Sequence, residues 1–336
     1  MFDNPETKSK CLFLTYNHAV CDGVSGYENG LELARCLCMS DAEKDAALLE
    51  PPNLYFPPAP EFLINQATSW SFRFNQILAV GRVVKHALFT SALTVPPSRP
   101  MSAFDLAKTG HTYTHVIDVG QKETRLILSK AREYKSSLTA AIVAANEDAI
   151  RQLLGSTSDP NAFTNVIHTI PMDLRSFTTI PKGALSSMVS FTTFASNAKS
   201  PVGGLSGHDL WRLSQKVTAQ LKASIKTKSP LGVYFLGGRA ANSLPSSDPN
   251  DHSSFFSVSN ASNYRGKNDV KHVISSCHVG HTRNPSILFL TQPDGSLSVI
   301  IHFPSQGVDR DLIKRYEALL EGSLSKLYEM KTLAKL

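Results

Sequence analysis

The stretch Phe13 to Gly26, FLTYNHAVCDGVSG, concentrates the residues with chemistry to offer. An apolar run over residues 11–16 ends at Asn17 and His18, so a buried strand is expected to carry a histidine at its polar end. An imidazole held there can face a cleft from a rigid edge. Its pKa lies near working pH, so it can take a proton from a hydroxyl or an amine. Asp22 follows four residues later, with Gly23 beside it. That aspartate reads as fixing the turn rather than doing chemistry. Gly23 reads as permitting a backbone that a side chain would obstruct. On these residues alone, a turn histidine satisfied by backbone is the leading reading of His18.

Other reactive residues carry less. Cys21 lies between His18 and Asp22 and reads as filler rather than a nucleophile. Cys277, His278 and His281 make an incomplete ligand set, so no metal is expected. Gly203-Gly204 and Gly237-Gly238 lack the lysine and serine of a phosphate loop.

The elements around the motif follow from pattern. Gly23 and Gly26 bracket a turn, and Ser25 is a possible N-cap for a helix over about 27–39. Five prolines in residues 51–60 predict an extended connector. Residues 61–93 predict helix, with Phe62, Ile64, Trp70, Phe74, Ile77, Val84 and Leu88 as candidates for burial. Pro96, Pro97, Pro100 and Gly110 mark a break, dividing the chain into residues 1–100 and 101–336. Beyond it, strands are expected at 112–118, 164–171, 187–195, 255–259, 270–279, 286–291 and 296–303. Helices are expected at 121–134, from a Thr139 cap to about 154, at 207–226 and at 309–331. Pro293-Asp294-Gly295 reads as a hairpin turn.

Composition bounds the function classes. The 336 residues are 42% hydrophobic and 18% charged, which excludes wholesale disorder. No apolar run approaches the ~18 residues of a membrane span. The net charge of +6 is scattered, with no basic arm for nucleic acid, and it suits an anionic small ligand. Five cysteines without a CxxC pair, and a polar start at residues 1–10, predict a reducing, cytoplasmic setting.

His18-Ala19-Val20-Cys21-Asp22-Gly23 resembles the HxxxDG core of acyltransferases that share the chloramphenicol acetyltransferase-like fold, an α/β sandwich. Three later stretches resemble family segments in the expected order. They are IHTIPMDLR at 167–175, FFSVSN at 255–260, and the hairpin within 286–303 before a closing helix. The overall tenor is similar to fungal alcohol O-acetyltransferases. Many members carry two adjacent histidines; here the first position is Asn17 and the second is His18.

The resemblance implies direct acyl transfer. His18 is the general base, the co-substrate is acetyl-CoA or another acyl-CoA, and the acceptor is a small-molecule alcohol or amine. No cofactor is held tightly and no acyl-enzyme forms. Asp22 and Gly23 are structural at the site, with Asp22 paired to an arginine for which Arg175 is a candidate. Ser259 and Asn260 are candidates for contact with the acyl carbonyl or pantetheine. Only seventeen residues precede His18. The resemblance therefore implies a complete C-terminal half-domain and an N-terminal half-domain that is mostly missing. Two alternatives accompany it: a non-catalytic fragment that self-associates through bare sheet edges or binds a partner, and a condensation-domain-like protein.

Overall fold

Alternating apolar residues in the C-terminal two thirds build a six-stranded sheet. The computed structural model describes residues 2–4, 9–11, 14–15, 22–49, 69–70, 74, 77, 112–155, 166–178, 180, 187–196, 204–231, 255–264, 270–276, 286–304 and 310–329. The N-terminal part holds a short antiparallel pair, β1 (Phe2–Asn4) and β2 (Ser9–Cys11), then α1 (Gly23–Cys38) and α2 (Asp41–Leu49). The larger part runs β3 (Thr112–Val119), α3 (Gln121–Glu133), α4 (Leu138–Gly155), β4 (Val166–Asp173), β5 (Val189–Ser196), α5 (Gly207–Lys226), β6 (Phe255–Asn263), β7 (Ser286–Thr291), β8 (Leu297–Pro304) and α6 (Arg310–Tyr328). The strand order is β3-β8-β7-β6-β4-β5. The central strands β7, β6 and β4 are parallel, and the outer pairs are antiparallel.

β8 shows why the sheet is covered on both faces. Leu297, Val299, Ile301 and Phe303 join the core beneath α3 to α6, with Ile127, Ile142, Trp211 and Leu320. Each such buried side chain contributes roughly 1.5–3 kcal/mol. Ile300, on the opposite face, packs with Leu290 and Tyr264 under Tyr27 and Leu31 of α1. The Tyr27 and Tyr264 rings meet edge to face at 4.3 Å. Alanines 140, 141, 144 and 145 let α4 pack closely in the helical layer.

Charge is also buried in that layer. His168 Nε2 lies 2.7 Å from Glu147 Oε2, and Arg151 Nε donates to Glu147 Oε1 at 2.6 Å. Arg151 also donates to Ser196 Oγ at 2.6 Å, linking α4 to β4 and β5. Such a group keeps its charge in a core only when paired.

Several elements depart from the pattern reading. Leu14 and Thr15 are not in a strand, and β2 ends at Cys11. Helix α1 begins at Gly23 rather than near 27 because Asp22, not Ser25, caps it. Ser137 Oγ, not Thr139, accepts from the Ala140 N–H at the start of α4. Residues 270–276 are not a strand. Their β-like pattern is met instead by a side chain: the Gln292 amide donates to Val273 O at 2.8 Å, and its oxygen accepts from Val273 N at 2.9 Å. Trp70, Phe74 and Ile77 are 83%, 60% and 58% exposed, not buried, because helical spacing marks a face without supplying something to cover it. The connector at 51–60, the break at 94–110 and Cys277, His278 and His281 lie outside the described residues.

Candidate active site

Asp22 is the hinge between the motif and the sheet. As N-cap of α1 its Oδ1 accepts from the Ser25 N–H at 2.9 Å and from Ser25 Oγ at 3.0 Å. Its Oδ2 accepts from Arg175 Nη1 at 2.7 Å and from the Met188 N–H at 2.7 Å. Arg175 Nη2 donates to Ser25 Oγ at 2.7 Å, which closes a ring of three side chains. Both charged side chains are almost fully buried.

The arginine is positioned by its own local fold. β4 ends at Asp173, whose Oδ1 accepts from the Arg175 N–H at 2.9 Å and caps the 3-10 turn Leu174–Phe177. The same oxygen accepts from Arg175 Nη1 at 3.1 Å, so the guanidinium is aimed back over the turn. Burial opposes charge on Asp22. The hydrogen bonds from Arg175, Ser25 and Met188 outweigh it and hold the carboxyl below the ordinary aspartate range. Asp22 is therefore an anchor and not a proton carrier at neutral pH.

The expected site residues divide. Asp22 and Arg175 are joined. Gly23 is exposed, opens α1, and a Cβ there would meet nothing within 4 Å among the described residues. The cap of the helix that Gly23 opens comes from Asp22. Ser259 and Asn260 are adjacent in β6 and so face opposite sides of the sheet. Ser259 registers with Leu288 on the α1 face, and Asn260 with Phe289 on the helical face. A single cavity on one face of the sheet takes only one of them. His18, Asn17 and Cys21 lie outside the described residues.

These features share one end of the sheet. β4, β6 and β7 are parallel, so Arg175, Asn263 and Thr291 all stand at carboxyl ends. Ligands of open α/β sheets bind outside such ends. The Tyr27 hydroxyl donates to Asn263 O at 3.3 Å, tying α1 to that same end. Ser25 as a link between Asp22 and Arg175, and the Met188 N–H, were not evident from sequence. Ser25 carried a signal, three residues after Asp22, but Met188 carried none.

The family model for alcohol acetyltransferase matches residues 2–242. The chain belongs to the alcohol acetyltransferase family. Solved structures place this alcohol acetyltransferase family chain in the chloramphenicol acetyltransferase-like fold. The epimerization domain from the third module of tyrocidine synthetase B superposes with a TM-score of 0.62 at 14% identity, covering 93% of this chain and 68% of that one. The PapA2 acyl transferase gives 0.56 at 12% identity, covering 93% and 64%. The TRI3 trichothecene 15-O-acetyltransferase from Fusarium sporotrichioides gives 0.54 at 10% identity, covering 78% and 54%. The chain thus spans between about half and two thirds of those solved chains. A comparison with curated proteins found no match. Among the described residues no helix is long and apolar enough to cross a membrane.

Proposed function

We propose that this chain is an acyl-CoA-dependent O-acyltransferase that moves an acetyl group from acetyl-CoA to the hydroxyl of a small alcohol. His18 is the general base. It removes the hydroxyl proton as the oxygen attacks the thioester carbon. A tetrahedral oxyanion forms and collapses, the carbon–sulfur bond breaks, and the proton held on His18 passes to the departing thiolate. No group on the protein is acylated. The reading divides the chain near residue 100, with the motif on the first part, and sets it in the cytoplasm. The free thiols of Cys36 and Cys38 are in keeping with that setting.

The observation that carries this reading is the buried Asp22–Arg175 pair. It supports a rigid anchor four residues from the proposed base, at the sheet end where parallel strands finish. An anchor of that kind limits the loss of orientation that a mobile base would suffer. Family membership supports acyl transfer as the chemistry.

Calorimetric titration of acetyl-CoA into the purified, monodisperse chain tests the donor assignment without a known acceptor. Saturable binding at one site per chain is expected. Absence of binding to the folded chain would overturn the reading.

A further inference from the structure

His302 lies two residues beyond Ile300 in β8 and so points to the face of the sheet that α1 covers. Its ladder neighbours on that face are Ser286 of β7 and Thr114 of β3. The imidazole is fully buried, yet neither ring nitrogen makes a hydrogen bond among the described residues. Buried polar groups are nearly always paired, and an unpaired one is a cost that contact with water relieves. The cover over His302 is residues 270–276, which are neither helix nor strand. Two contacts pin them. Gln292 bonds both backbone groups of Val273, at 2.8 and 2.9 Å. Ser276 Oγ lies 3.3 Å from Thr114 Oγ1, beside His302 in the ladder. Between the pins the Ser275 backbone comes close to the imidazole. Val273 packs with Tyr264, Leu290 and Ile300, and with Tyr27 and Leu31 of α1.

Charge around His302 is sparse. Among the described residues no carboxylate acts on it. Asp118, on the same face of β3, is bonded to Ser298 further along the ladder. His115 points to the other face, toward Glu317 of α6. Residues 270–276 bring Lys271 and His272, both exposed, with Asp294 of the hairpin acting on His272. Helix α1 brings Glu28, half-buried, while its Glu32 pairs with Arg35. An imidazolium formed under the cover would be a buried cation without a counter-charge.

We propose that residues 270–276 are an acid-released strap: protonation of His302 lifts them off β8 and β3 and uncovers the sheet face beside α1. The strands around the ring are held by continuous ladders, and the strap by side-chain contacts at Val273 and Ser276. Opening the strap is therefore the easier way to bring water to the ring. Burial already holds the imidazole below the usual histidine range, and the nearby backbones of Ser286 and Ser275 offset only part of that. The closed strap favours the neutral ring, and the open strap favours the charged one. This inference rests on the fold and does not depend on the acyl-transfer reading.

The test follows the Val273 amide, which donates to Gln292 Oε1, by hydrogen exchange from pH 8 to pH 5 with intrinsic rates divided out. In wild type its protection is expected to fall about tenfold per unit of pH below 6.5, until the folded value is reached. The amides of the β7–β8 ladder are expected to keep theirs. His302→Asn and His302→Leu remove the titration, so protection at Val273 is expected to stay flat in both. His272→Asn, at an exposed position of the strap, is expected to keep the wild-type slope. Thermal midpoints check that each variant folds. Flat protection in wild type would overturn the strap, and so would an equal fall in the ladder. A wild-type slope in a folded His302 variant, or loss of the slope in His272→Asn, would overturn His302 as the trigger. If neither His302 variant folds, wild type and His272→Asn decide it.

Discussion

Asp22 and Arg175 are 153 residues apart in the chain, and their side chains meet at 2.7 Å in a site closed to water. The contact fixes the start of α1 to the turn that ends β4. Ser25 sits between them and bonds to both. The pair therefore couples the start of α1 to the end of β4, and its loss acts on the packing of both.

Removing one charge of the pair is expected to be costly. Asp22→Asn keeps the shape but leaves the guanidinium buried without its counter-charge, and about 3 kcal/mol of stability is expected to go. Urea unfolding at neutral pH measures it. Arg175→Met in the Asp22→Asn background is expected to recover part of that loss. A single variant as stable as wild type would contradict the anchor.

Stability is expected to fall with pH in two stages. Burial lowers the pKa of His302, and the nearby backbones of Ser286 and Ser275 offset only part of that. The unfolded chain then binds a proton below about 6.5 that the folded chain refuses, so this contribution is full above 6.5 and is lost as pH falls toward the folded value. Glu147 is different in kind. Burial opposes its charge, but His168 and Arg151 outweigh burial and hold its pKa low. Its contribution, with that of Asp22, is full above the unfolded values of 4.5 and 3.8 and is lost as pH falls through the folded values. Thermal midpoints measured from pH 8 to pH 3 should show both stages. His302→Leu should remove the upper stage alone.

Gly23→Ala tests whether the glycine serves the fold. The residue is exposed and helical, and an added methyl meets nothing within 4 Å among the described residues. The variant is expected to keep wild-type stability or gain up to about 1 kcal/mol. Thermal unfolding checks this. A loss of several degrees would mean that the glycine serves the fold after all.

Much of the sheet was legible because its signals are local. β7 and α5 match the pattern reading to the residue, since each has one periodicity and clear ends. The hairpin at Pro293 to Gly295 was legible for the same reason, and Gly295 takes the positive φ of 90° that favours glycine. What sequence could not give was partnership. Residues 270–276 look like a strand, but the backbone of Val273 is paired by the Gln292 side chain, nineteen residues away. Trp70, Phe74 and Ile77 have helical spacing, and spacing is silent about whether a neighbour arrives. In the site, Arg175 was reached through a family pattern. Met188 was not, because a backbone N–H carries no signature in its side chain. Ser259 and Asn260 read as a pair in sequence, and strand alternation sends them to opposite faces.

The central claim is that His18 takes a proton from an acceptor alcohol while acetyl-CoA supplies the acyl group. The most direct measurement is acceptor-dependent release of free CoA thiol, followed for wild type and for His18→Ala under the same conditions, with thermal midpoints to establish that both are folded. The account predicts thiol release matched one to one by ester in wild type, and a rate lower by about 10²–10⁴-fold in His18→Ala. Equal rates in the two proteins, or no acceptor-dependent release from folded wild type across a panel of alcohols, would contradict it.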